Sequence, residues 1–133
     1  NLDNLRNATW AEAEPRLKSL TRPLTKLQER EVADFMQDKL LGLGPKQARN
    51  LLQALGLTRY EVPIDSRVAR WLRERGFPSP TSAAALADRD FYHFVLDGYQ
   101  RLCEAADELP CVVDGAVFAS FDGPDWTPEL VRF

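Results

Sequence analysis

One short stretch decides the fold of this chain: Leu40-Leu41-Gly42-Leu43-Gly44-Pro45-Lys46-Gln47-Ala48. It joins two apolar patterns of helical spacing through a short apolar-Gly-apolar-Gly connection. Glycine permits backbone angles that other residues avoid and lets the main chain approach a ligand closely. Pro45, which has no N–H, suits the first position of the second helix, so the N–H groups near Gly44 to Gln47 have no partner within that helix. The stretch therefore predicts a hairpin at about residues 42–45 between two helices.

This hairpin supports two interpretations. Unpaired amides at a helix N-terminus, aided by the helix dipole, bind phosphate, and such a turn grips a nucleic-acid backbone without reading its bases. A plain corner between two helices is the alternative, since Gly-x-Gly is common at such corners. The turn alone does not decide between them.

Helical periodicity extends over most of the chain on either side of the hairpin. Apolar residues at three- and four-residue spacing predict helices over about 23–40, 45–55, 66–76, 82–87 and 91–106. Thr21 or Thr25 caps the first of them. The predicted buried faces include Leu24, Leu27, Leu55, Phe94 and Leu102. Residues 111–121 fit a helix or a strand, and residues 122–128 fit a turn and a helix start. We expect one all-α domain over residues 1–133.

Length and composition limit the class of protein. The chain has 133 residues, of which 44% are hydrophobic and 28% charged, as in an ordinary globular domain. No apolar run approaches the roughly 20 residues of a membrane helix, and no signal peptide is visible. Two cysteines, Cys103 and Cys111, and one histidine are too few soft ligands for structural zinc or an iron–sulfur cluster. We expect buried thiols, no metal and a reducing, intracellular compartment.

The net charge of −3 conceals a division along the chain. Residues 39–75 contain 8 basic and 3 acidic side chains, whereas residues 81–133 contain 3 basic and 10 acidic ones. A solvated helical surface explains the basic segment, and so does a local site for an anionic ligand such as nucleic acid. Composition leaves both explanations open.

A second motif follows the hairpin. Lys46 lies in the first turn of the predicted helix, and Asp65 comes 19 positions later in Val62-Pro63-Ile64-Asp65-Ser66-Arg67-Val68. The hairpin, the lysine and this turn together resemble the helix-hairpin-helix DNA glycosylase superfamily, in particular its lysine-bearing 8-oxoguanine DNA glycosylase/lyases. The resemblance is dense over residues 30–76 and weaker over residues 109–114.

The resemblance implies roles for individual residues. Lys46 would be the nucleophile that attacks the sugar carbon bearing a damaged base, leaving a Schiff base whose β-elimination nicks the strand. Asp65 would assist departure of the base and stabilise the positive charge on the sugar. Gly42 and Gly44 would belong to the phosphate-gripping hairpin, together with the amides up to Gln47. Such a mechanism requires no metal or organic cofactor.

General chemistry favours the same roles. An amine attacks only when it is neutral, and the positive end of a helix disfavours the ammonium form of Lys46. A carboxylate at Asp65, stabilised by the next helix dipole, would lower the energy of an oxocarbenium-like transition state. Each residue also has an ordinary explanation, since a lysine in a first turn is often a surface charge and an aspartate before a helix is a routine N-cap.

Two features depart from the family pattern. Many relatives carry histidine two positions after the aspartate, whereas this chain has Arg67, which either contacts a phosphate or is a surface charge. Too few residues precede the hairpin to build both helical subdomains of the family. The chain, which begins at Asn1, is therefore part of a longer one or a reduced version.

Other residues are less specific. By the resemblance, Asp114 approaches the base pocket, although it serves equally well as a salt-bridge or capping residue. Four aromatic residues at helical spacing either sandwich an everted base or, more commonly for such a stripe, belong to the core. They are Trp71, Phe91, Phe94 and Tyr99.

We therefore expect an intracellular, monomeric DNA-repair enzyme of the cytoplasm, nucleoid or nucleus. Its partner would be double-stranded DNA that contains a damaged base, with 8-oxoguanine as the base that the resemblance implies. A non-catalytic helix-hairpin-helix module that anchors a larger repair or recombination assembly to DNA is the alternative. A helical adaptor with an acidic partner-binding face is a third hypothesis.

Overall fold

The structure, a computed structural model, describes residue 3 and residues 9–22, 25–78 and 81–121. Within these residues the chain forms helices and no strand, which confirms the predicted all-α fold. The α-helices are α1 (Trp10–Ser19), α2 (Lys26–Lys39), α3 (Pro45–Ala54), α4 (Ser66–Glu74), α5 (Arg89–Ala105) and α6 (Pro110–Phe121). A 3-10 turn covers Ala85–Ala87. Leu24 and the predicted turn and helix start at 122–128 lie outside the described residues.

Capping residues set the ends of the central helices. Thr25, rather than Thr21, caps α2 in a capping box, in which its hydroxyl accepts from the Gln28 amide and the Gln28 side chain accepts from the Thr25 amide. Gly56, with a φ of 68°, follows the end of α3 as predicted. Between these two caps, α2 ends at Lys39 and α3 begins at Pro45, so the connection between the two helices spans residues 40–44.

Two hydrophobic clusters hold the helices together. One is formed by α1, α2 and α3 around Met36 and Leu52. The other is formed by the segment 62–64 and α4, α5 and α6 around Leu72, Leu96 and Tyr99. Burial of this apolar surface is the main force that holds each group of helices together.

A buried ionic network joins the two groups of helices. Arg49 of α3 is fully buried, and its Nη2 donates to Asp34 of α2 at 2.9 Å and to Glu61 at 2.8 Å. Glu61, which is also fully buried, accepts a further bond from Arg30 Nε at 2.9 Å. Arg49 Nη2 lies 3.1 Å from His93 Nε2 of α5. The network ties α3 to α2, to α5 and to the segment after α3.

Several side chains differ from the predicted burial. Leu27, Leu55, Phe94 and Leu102 are between 43% and 62% exposed, although the periodicity assigned them to buried faces. They lie at the edges of apolar stripes that are wider than the contact with neighbouring helices. The predicted helix at 82–87 is reduced to the 3-10 turn, and α1, which was not predicted, continues through Pro15.

Candidate active site

Lys46 lies in the first turn of α3, after Gly44 as the N-cap and Pro45 at the first helical position. The connection contains two glycines, of which Gly42 is required by its backbone conformation. Gly42 has a φ of 80°, a left-handed conformation that favours glycine. A Cβ at Gly44 would lie 3.0 Å from the side-chain oxygen of Gln47, which folds back over the turn. The turn thus presents Lys46 and Gln47 on the N-terminal end of α3.

Lys46 differs from the other lysines in its contacts. The chain has four lysines, and three of them pair with carboxylates at 2.7 to 3.3 Å: Lys18 with Glu14, Lys26 with Glu104 and Lys39 with Glu12. Lys46 is half-buried and has neither an ion pair nor a hydrogen bond with any residue that the structure describes. Its amine is therefore available to a ligand.

Asp65 is the N-cap of α4. Its Oδ1 accepts from the backbone amides of Arg67 at 2.8 Å and Val68 at 2.9 Å. Its Oδ2 lies 3.4 Å from Arg67 Nη1, and the side chain is 22% exposed. The capping role weighed for Asp65 is confirmed, and the same bonds hold a negative charge in a fixed position. Capping and electrostatic stabilisation of a ligand are compatible, because the capping side chain remains partly exposed.

The segment before Asp65 is anchored to α5. The Tyr92 hydroxyl accepts from the Ile64 amide at 2.8 Å and donates to the Val62 carbonyl at 3.2 Å. Burial raises the pKa of Tyr92 to well above its ordinary value, so this hydroxyl keeps its proton. The position of Asp65 therefore follows from the packing of α5, not from local sequence alone.

Two cavities adjoin Lys46 and Asp65, and both residues line both of them. The α6 cavity, of about 1050 Å³, lies between α3, α4 and α6. The loop cavity, of about 660 Å³, lies between α3, α4 and residues 81–87. Gly44 and Gln47 line the loop cavity, whereas Gly42 lies outside both linings. The structure thus brings the predicted lysine and aspartate to one concave surface.

Asp114 of α6 lies in the wall of the α6 cavity. It is 9% exposed, and one of its carboxylate oxygens accepts from Gln53 Nε2 at 2.7 Å. Burial raises the pKa of Asp114; the bond from Gln53 acts in the opposite direction, and the negative charge of Asp65 raises the pKa further. The α6 cavity therefore holds two interacting carboxyl groups. Asp65 accepts hydrogen bonds from backbone amides, whereas the charged form of Asp114 is disfavoured.

The α6 cavity has walls that the sequence analysis did not identify. Phe118, one helical turn after Asp114, lines it, and the guanidinium carbon of Arg67 lies 4.2 Å from the centroid of the Phe118 ring. Asn50 and Val112 line it as well. The four-residue spacing of Asp114 and Phe118 would have indicated a shared face if residues 111–121 had been assigned to a helix.

The four aromatic residues considered for base stacking lie elsewhere. Tyr99 is fully buried, and Trp71 packs against it with ring centroids 5.9 Å apart. Phe91 and Phe94 pack against each other, and Phe94 is 53% exposed. None of the four lines either cavity among the described residues. Their positions agree with the core interpretation for Tyr99, Trp71 and Phe91.

In chemical terms, the arrangement combines a lysine amine, a fixed carboxylate and two adjoining cavities. The described part of the chain contains no cluster of three or more His, Cys, Asp or Glu that would hold a metal ion. None of its helices has the length and apolar character needed to cross a membrane.

Comparison with protein-family models, with curated proteins and with solved structures gives no significant match.

Proposed function

We propose that this chain is a DNA glycosylase with associated lyase activity, which removes a damaged base from duplex DNA. The observation that carries the proposal is that the unpaired amine of Lys46 and the amide-bound carboxylate of Asp65 line the same two cavities. An amine and a carboxylate at one concave surface suit nucleophilic attack on a carbon that develops positive charge.

The proposed reaction breaks three bonds in turn. The neutral Lys46 amine attacks C1′ of the deoxyribose, and the glycosidic bond breaks with its electron pair leaving on the base, which takes up a proton as the new ammonium centre loses one. Asp65 stabilises the positive charge that develops on the sugar. The C1′–O4′ bond then opens, with a proton passing to the ring oxygen, and leaves a protonated imine between Lys46 and C1′. This imine acidifies the C2′ hydrogen, and loss of that proton drives β-elimination, which breaks the C3′–O bond and releases the 3′-side strand with its 5′-phosphate.

The α6 cavity is the proposed site of the everted base. Its volume of about 1050 Å³ exceeds the need of one purine, and its lining includes the Phe118 ring, which packs against the Arg67 guanidinium, and polar groups at Asp114 and Gln53. An enzyme that acts on the sugar of a stacked nucleotide must take its base out of the duplex, and such pockets combine stacking with polar groups. 8-oxoguanine is the proposed base, on the family resemblance.

Borohydride trapping tests the proposal directly. The protein is incubated with duplex that carries a single 8-oxoguanine, and borohydride is added to reduce any imine to a stable covalent adduct. A protein–DNA adduct together with strand nicking is expected. Salt-sensitive duplex binding without adduct or nicking would support the non-catalytic DNA-binding module instead. Absence of duplex binding would support the adaptor.

Replacing Asp65 with asparagine separates its two roles. Asparagine caps helices about as well as aspartate, so the free energy of unfolding should change by about 0.5 kcal/mol or less. Loss of the negative charge should slow base removal by about 10²- to 10³-fold. The measurements are single-turnover base release and chemical denaturation.

Asp88→Asn is the matched control for that variant. Asp88 caps α5 by accepting from the Phe91 amide at 2.8 Å and lies outside both cavity linings. Equal base release by the two variants would show that Asp65 acts only as a cap.

A further inference from the structure

The loop cavity has a wall that the proposed base removal does not use. Its volume is about 660 Å³, and it opens on the side of Lys46 and Asp65 away from α6. Besides Asp65, its polar lining residues are Lys46, Gln47, Ser66, Arg73, Thr81 and Ser82. The question is what ligand this wall would accept.

Arg73 is the second cation of this cavity, and its contacts differ from those of Arg70 on α4 and Arg75 at the C-cap of α4. Arg70 bonds Glu74 at 2.8 Å, and the Arg75 guanidinium carbon lies 4.1 Å from the centroid of the Trp71 ring. Arg73 has no hydrogen bond, ion pair or ring contact with the described residues. Of the three arginines in this stretch, it is the one that lines the loop cavity.

One of the two hydroxyl groups of the loop 81–82 keeps its hydrogen for a ligand. Ser82 Oγ accepts from the Ala85 amide at 3.2 Å, and its own hydrogen has no acceptor among the described residues. Thr81 is buried and donates to the Ala69 carbonyl at 3.2 Å, which holds this loop against α4. Besides the Asp65 carboxylate, the lining of the loop cavity therefore offers a guanidinium, an ammonium and a hydroxyl donor, which are groups that donate to a phosphate.

We propose that the loop cavity binds a backbone phosphate adjacent to the damaged nucleotide, with Arg73 as its main ligand; this inference rests on the proposed function. Lys46 and Asp65 stand between the two cavities, so a deoxyribose in contact with both places its base in one cavity and its phosphodiester towards the other. Arg73 then neutralises that phosphate and fixes the sugar in front of the amine.

Arg73→Gln tests the inference, with Arg70→Gln as the matched control on the same helix. Binding is measured on duplex with one tetrahydrofuran abasic analogue over a range of salt concentrations. Arg73→Gln should weaken binding about tenfold at low salt, and the slope of log Kd against log salt should fall by about one phosphate contact. Arg70→Gln should change neither. Equal losses in the two variants would overturn the inference.

Single methylphosphonate substitutions identify the phosphate. One neutral linkage next to the abasic analogue should weaken binding by the wild type and leave binding by Arg73→Gln unchanged, because the partner charge is already gone. If every linkage weakens both proteins alike, Arg73 binds no single phosphate and the inference fails. Trapping of the wild type on 8-oxoguanine duplex is measured separately. If the wild type shows no trapping but Arg73→Gln still weakens binding as described, the proposed glycosylase activity is overturned and the phosphate site is not.

Discussion

Replacing Lys46 with glutamine is expected to abolish borohydride trapping and strand nicking, with a loss on the order of 10⁴-fold or more. Glutamine retains a polar end of similar reach but has no amine, so it forms no imine with the sugar. The measurement is the yield of adduct and nicked strand with time, at protein concentrations that saturate the duplex.

The same substitution is expected to leave the fold intact. Lys46 pairs with no described residue, so its removal should change the free energy of unfolding by less than about 0.5 kcal/mol. Lys39→Gln is the matched control, because it makes the same change in the same basic segment to a lysine that pairs with Glu12 at 3.3 Å. Trapping that survives in Lys46→Gln, or that falls equally in Lys39→Gln, contradicts the assignment of the nucleophile.

Helix ends that carry capping residues were predictable from this sequence. Gly56 and the Pro45 start follow from local backbone chemistry, and both lie where they were expected. Residues 111–121 were ambiguous, because an apolar run without a polar side has no period that separates helix from strand. In the structure, residues 110–121 form the helix α6, which packs against α4 and α5. The local sequence does not reveal this packing.

The candidate site was predictable in part. The motif identified Lys46 and Asp65, because each lies at a helix start that the sequence marks. The cavity wall at Phe118 depends on how α6 packs, which local pattern does not reveal. Arg49 was counted among the eight basic side chains of residues 39–75, and its burial was not foreseen, since its partners Asp34 and Glu61 are 15 and 12 positions away. The basic segment is therefore less exposed than its composition implies.

Replacing Arg49 with methionine is expected to lower the free energy of unfolding by about 3–5 kcal/mol. Methionine fills a similar volume, but the change leaves the fully buried Glu61 with Arg30 as its remaining cationic partner and removes the bond to Asp34. A buried carboxylate that loses a partner bears the cost of its desolvation. Urea denaturation measures the loss.

Arg70→Met is the matched control for this stability prediction. Arg70 pairs with Glu74 at 2.8 Å, but the two side chains are 61% and 50% exposed, and exposed pairs contribute about 0–1 kcal/mol. Adding Glu61→Gln to Arg49→Met should recover part of the loss, because a neutral amide is less costly to bury than a carboxylate that has lost one of its two guanidinium partners.

The Arg49 network also has a consequence for the site. Arg49 Nη1 donates to the carbonyl of Pro45 at 3.3 Å, so the buried guanidinium holds the turn that presents Lys46. Its other bonds reach Glu61, four residues before Asp65. One side chain thus contacts both the turn before Lys46 and the segment before Asp65, the two residues that the proposed reaction places at one sugar. If Arg49→Met and Arg70→Met lower the free energy of unfolding equally, the Arg49 network does not hold the two groups of helices together.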